Sequence, residues 1–151
     1  MGMLDFLPET TDPRELEDRK HLEEVLRKVI GGRTEEAQAE AVRDFVRDVG
    51  EKRAIELLVD TFQTKGAAGV ETPVTMGAVH ALRVIGGPAV DPLIEALQNQ
   101  IPTVRKRAAI ALGEIGDKRA VEPLTPLLGD KKSFVREATE DALEELGESG
   151  I

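Results

Sequence analysis

The residues that could do chemistry in this chain are few, and their spacing rules out most of it. The serines are Ser133, read as a helix cap, and Ser149 near the end, so a Ser-His-acid hydrolase has no nucleophile in a credible setting. The two histidines, His21 and His80, fall in different helical segments, and neither has the paired His or His-Glu spacing of a metal site. His80 sits beside an apolar stripe and reads as a half-exposed surface residue. There is no Cys, which removes disulfides, thiolate-ligated zinc and thiol nucleophiles, and fits a cytoplasmic setting. Glycines at 66 and 69 and the Gly86-Gly87 pair lack the GxxxxGK[ST] spacing and no strand precedes them, so they read as turns. With 29 carboxylates, proximity of any two says nothing about acid–base catalysis. No catalytic residue, metal ligand or cofactor site is therefore expected, and the chain is read as a non-enzyme.

Charge narrows the partners. The net charge is −9, and acidic residues outnumber basic ones in each third of the chain. Phosphate backbones need facing cations, and base stacking needs aromatics. With no Trp or Tyr and four Phe, a nucleic-acid role is disfavoured. The one basic concentration is Arg105, Lys106, Arg107 with Lys118, Arg119, read as a solvated helix end. No long apolar run and no basic start followed by an apolar stretch occurs, so neither a membrane span nor a signal peptide is expected. One Asn, few Gln and 32% charged residues match the composition of heat-adapted proteins.

The elements that must carry any surface repeat along the chain. Val104, Ala108, Ala111, Leu112, Ile115 and Gly116 recur as Val74, Ala78, Ala81, Leu82, Ile85 and Gly86, and again as Val135, Thr139, Ala142, Leu143, Leu146 and Gly147. After the glycine, DKRAVEPL at 117–124 is matched by GPAVDPL at 87–93 and by EKRAIELL at 51–58, which places a further copy around Gly50 behind Val42, Val46 and Val49. Within a copy the first apolar set has helical spacing, and the glycine ends that helix because a left-handed cap is cheapest for Gly. Ala120, Val121, Leu124, Leu127 and Leu128 give a second helix, which the short connection makes an antiparallel neighbour. Neither helix pair can bury both faces alone, so the copies must stack, and the alanines at 78, 81, 108, 111 and 142 allow close approach.

The pattern Val-Arg, then AAIALGEIG, a charged pair, AVEPL and LL resembles the HEAT-like repeat, in the short variety found in phycobilisome lyases, over residues 34–147. Val-Arg stands at Val104-Arg105 and Val135-Arg136, whereas Val74 is followed by Thr75. The resemblance implies an all-α fold: an α-solenoid superhelix of about four stacked antiparallel helix pairs, with an N-terminal capping helix and a C-terminal half repeat. It implies no single activity. Iron-binding hydroxylases built from such repeats carry repeated His-Glu pairs, and this chain has none.

The expected organisation is a flexible arm over residues 1–11 and one domain over 12–151. That domain divides into a capping helix (12–32), repeats at 33–71, 72–101 and 102–132, and a half repeat at 133–147. Asp12 caps the first helix with Pro13 at its first position, and Leu22, Val25, Leu26, Val29 and Ile30 form its apolar face. Thr34 opens the next helix, and a second one follows from 54 to 62. The first copy is longer than the others, its surplus lying in the loop at 64–71 before the Thr72 cap; tolerated insertion and a binding edge are the two readings. Pro92 and Pro123 fall in the first turn of second helices, and Pro126 predicts a bend or a late start. The outer face of the last helix, Glu137, Glu140, Asp141, Glu144 and Glu145, closes the stack.

The resemblance implies that second helices line a concave face with equivalent residues in rows. Glu56, Asp91 and Glu122 occupy one row, and Asp60 and Glu95 begin another, which gives an acidic ridge suited to a partner protein with a basic segment. The competing account is that these carboxylates merely complement helix dipoles, at about 0.3–1 kcal/mol each. A protein-binding scaffold is the reading adopted. An accessory subunit resembling a bilin lyase is the alternative, with a nucleic-acid-associated protein behind it, and self-association is open to a stack with weak ends.

Overall fold

In a computed structural model, eight α-helices and short 3-10 turns make up the fold, with no strand among the described residues. The structure describes Leu4, residues 7–63 and residues 72–147. Much of the expected arm, the expected loop at 64–71 and residues 148–151 lie outside them. The helices are α1 (Pro13–Gly31), α2 (Glu35–Val49), α3 (Glu51–Asp60), α4 (Pro73–Ile85), α5 (Val90–Ala96), α6 (Pro102–Ile115), α7 (Val121–Leu124) and α8 (Ser133–Glu145).

Helix ends follow local chemistry. Asp12 accepts from the Arg14 backbone N–H ahead of Pro13, and Thr34 accepts from Ala37. The glycines after α2, α4, α6 and α8, Gly50, Gly86, Gly116 and Gly147, all have positive φ, but only Gly116 (φ 76°, ψ 16°) is shown in the left-handed helical region. At Gly50 and Gly86 the chain instead swings to ψ 146° and −130°. This reversal lets α3 begin at Glu51, three residues earlier than expected, with the Ala54 N–H donating to the Gly50 carbonyl at 2.8 Å. Ser133 is not a cap. Lys132 holds that position without a side-chain bond, because Asp130 already accepts from the Lys132 N–H at 3.0 Å and sets the turn. Pro126 has a visible cost: α7 stops at Leu124 and the chain continues as a 3-10 turn over Thr125–Gly129.

The core runs the length of the chain. Leu22, Val25, Leu26 and Val29 of α1 are buried, as are Val42 and Phe45 of α2, Ile55 and Leu58 of α3, and Val104, Ala108, Ala111 and Leu112 of α6. Each first helix packs on the next, α2 on α4, α4 on α6 and α6 on α8, while α3 packs on α4 and α5 on α6. Helix α1 does more than cover one end, since it touches α2, α3 and α4. Ile30, expected on its apolar face, is 42% exposed, and its side chain lies over Gly77 of α4.

The Val-Arg of the repeat has a structural purpose here. Arg105 donates to the Asn99 carbonyl at 2.8 Å and Arg136 to the Asp130 carbonyl at 2.7 Å, in each case six residues upstream. Asn99 and Asp130 also make the same turn, accepting through the side chain from the N–H two residues on. Where Thr75 replaces the arginine, it forms a reciprocal capping box with Thr72 instead.

Candidate functional site

The expected site residues sit on the second helices. Glu56 is exposed on α3, Asp91 and Glu95 are exposed on α5, and Glu122 is exposed on α7. Asp60 ends α3 and is half-buried; burial pushes its carboxyl pKa up, Arg53 opposes that shift and Glu56 adds to it. The dipole account fits Asp91 and Glu122, which lie in the first turns of α5 and α7. It does not fit Glu56, five residues beyond the start of α3 at Glu51.

Glu56 and Glu95 come together. They line one groove between α3 and α5 with Glu51, Lys52, Ile55, Pro88 and Pro92. Its floor is buried Ile55, its wall the two prolines, and its rim mostly carboxylate. Asp60, Asp91 and Glu122 do not line this groove.

The cations beside the row carry information that sequence reading passed over. Arg53 donates from Nε to Asp18 of α1 at 2.8 Å and reaches Glu56 at 3.5 Å. Arg119 occupies the same place in its copy as Arg53, ahead of the matching alanine. It is held by Asp117 at 2.9 Å, and its hydrogen bonds keep the Asp117 carboxyl below the usual range. From there it reaches back across the repeat boundary, to the Gly87 carbonyl at 3.4 Å and to Asp91 at 3.8 Å. Glu51, Glu95 and Glu122 make no ion pair among the described residues.

The basic concentration is a solvated helix end only in part: Lys118 and Arg119 are exposed, whereas Arg105, Lys106 and Arg107 are drawn into the fold. Arg107 is 1% exposed and donates to the Phe62 carbonyl at 2.7 Å, tying α6 to the end of the first repeat. Arg105 is bound bidentately by Asp130, at 2.8 and 3.1 Å. Lys106 lies 6.0 Å from the centre of the Phe134 ring. Only their identity as cations was legible in sequence; which ones face inward depends on neighbours far along the chain.

The histidines stay apart. His21 Nδ1 is 3.0 Å from the Glu17 carbonyl on α1. His80, on α4, has Nδ1 3.2 Å from Arg83 and a buried Nε2 with no hydrogen-bond partner among the described residues; burial pushes its pKa down. No group of three or more His, Cys, Asp or Glu among the described residues could hold a metal ion. None of the described helices is long and apolar enough to cross a membrane.

Residues 71–144 match the family described as HEAT repeats. That stretch covers α4 to nearly the end of α8, and the chain is similar to HEAT repeats there. No curated protein matches the chain.

Proposed function

We propose that the protein is a non-catalytic scaffold, a HEAT-like α-solenoid of about four helix pairs' worth of helices in which α1 and α8 stand as half units at the ends. Its concave face, lined by α3, α5 and α7, binds a partner protein through a basic segment in the cytoplasm. HEAT repeats are commonly protein-interaction surfaces, and the match over residues 71–144 supports that reading. The observation that carries it is the row itself. Glu56, Asp91 and Glu122 recur at one position of successive second helices and all are exposed, and for Glu56 the helix dipole supplies no alternative reason. Exposed carboxylates aligned in this way steer and orient a cationic segment. The groove that includes Glu56 is lined by two prolines, one isoleucine, three carboxylates and Lys52, a lining suited to peptide.

The test is affinity capture with wild type and with the E56K/D91K/E122K variant, both checked by circular dichroism. A partner with a basic segment is expected on wild type and absent from the helical variant. Retention of the same partner by the variant overturns the concave-face assignment.

A further inference from the structure

One repeat boundary carries an arginine that its neighbour lacks. Between the second and third copies, Arg119 lies across the junction of α5 and α7, against the Gly87 carbonyl and Asp91. Between the first and second copies, the residue in the place of Arg119 is Pro88, and the residue in the place of Asp91 is Glu56. Proline has no cation to send back. What stands there is the groove of Ile55, Pro88 and Pro92, rimmed by Glu51, Glu56 and Glu95.

Building on the scaffold reading, we propose that this groove is a slot for one arginine side chain of an extended partner segment. The methylenes lie along Pro88, Pro92 and Ile55, and the guanidinium sits between Glu56 and Glu95. Long cationic side chains keep their stems on apolar surface and their heads among polar groups, and this groove offers both. A planar, always-charged fork suits two carboxylates better than a compact ammonium, which favours arginine over lysine. The chain's own cations near the groove, Arg53 outside its lining and Lys52 within it, do not close the slot. Arg53 is drawn towards α1 by Asp18 at 2.8 Å, which leaves Glu56 at 3.5 Å, and Glu95 has no ion pair among the described residues. Lys52, also at the rim, sets one side against a second cation, so the slot takes one basic residue rather than a run. The neighbouring junction offers a partial instance within the same molecule: Arg119, anchored by Asp117, brings its guanidinium to 3.4 Å from the Gly87 carbonyl and 3.8 Å from Asp91 of the preceding repeat.

The probe is the acetylated, amidated pentapeptide Ala-Ala-Arg-Ala-Ala, titrated into the full chain while the Ile55 methyl resonance is followed by NMR. A saturating shift is expected, absent with the isosteric citrulline peptide and about threefold or more weaker with the lysine peptide. E56Q/E95Q should weaken arginine-peptide binding roughly tenfold, in line with the loss of charge-assisted hydrogen bonds. Pro88→Arg returns the chain's own guanidinium to the position that Arg119 fills one repeat on, and should abolish the shift while circular dichroism stays unchanged. No shift, equal shifts with citrulline or lysine, or undiminished binding by both variants would each overturn the slot. If the peptide fails while partner capture still depends on Glu56, Asp91 and Glu122, the slot falls and the scaffold reading stands. If the peptide binds as expected while capture is insensitive to the row, the slot stands and the ridge as partner site falls.

Discussion

The two ends of the stack are joined in different ways. At the C-terminal end, α6 and α8 approach so closely that a Cβ on Gly113 would lie 2.9 Å from the Ala142 Cα. The join is reinforced by a pair with little exposed side chain, Arg105 at 16% and Asp130 at 10%. At the N-terminal end, α1 meets α4 through Ile30 over Gly77, where a Cβ would lie 3.2 Å from a side-chain atom rather than from backbone. The ion pair there, Arg53 with Asp18, is more open, at 36% and 24%. The first repeat is also the copy whose first helix departs most from the others in sequence. Small residues at the C-terminal join let backbones pack directly; the N-terminal end relies on the longer helix α1, larger side chains and surface charge.

Breaking both ion pairs gives the largest expected contrast. Arg105→Ala strips a largely buried carboxylate of its partner and frees the Asn99 and Gln100 carbonyls, and should cost about 3 kcal/mol in urea unfolding. Arg53→Ala should cost under about 1 kcal/mol, since its charge is already part-solvated. Equal losses would show that the two ends are held alike.

The glycines offer a contrast of sign. Gly113→Ala forces the α8 backbone away and should destabilise by about 1–2 kcal/mol. Gly77→Ala crowds only the exposed Ile30, which can turn aside, and makes ordinary van der Waals contact with Leu26 at 3.6 Å, so the better helix propensity should leave the protein unchanged or up to about 0.5 kcal/mol more stable. Thermal unfolding of the two variants reads this directly, and a loss at Gly77 matching that at Gly113 would contradict the looser N-terminal packing.

A smaller effect should appear with pH. The Arg105 hydrogen bond, ahead of the Lys132 N–H, holds the Asp130 carboxyl below its ordinary pKa despite burial. A depressed folded value means that this contribution is complete above the unfolded pKa of about 4 and is lost as pH falls through the folded value. The gap in urea midpoint between wild type and Asp130→Asn should therefore be full at pH 7 and narrow in acid. A gap independent of pH would assign the loss to the hydrogen bonds alone.

Much of the fold was legible because its signals are local. The glycines at 50, 86, 116 and 147 could be read as helix ends, and Thr34 and Thr72 as caps, because each acts within a few residues of itself. The early start of α3 was hidden because it depends on the ψ that Gly50 adopts, and the same glycine permits several. Of the candidate site, the row of carboxylates followed from counting along the repeat, whereas the groove joining Glu56 to Glu95 did not, since its lining comes from helices of two copies and the turn between α4 and α5.

The sequence by itself determined the repeat, the helices, their ends and the column in which Glu56, Asp91 and Glu122 recur, because periodicity and capping are properties of neighbouring residues. Tertiary structure alone decided the fate of the arginines. Arg107 was drawn inside to Phe62, Arg105 was clamped by Asp130, and Arg119 was laid across to Asp91, while Pro88 left the matching place without a cation. An arginine's long stem samples many neighbours, and only the stacked repeats determine which carbonyl or carboxylate stands within its reach.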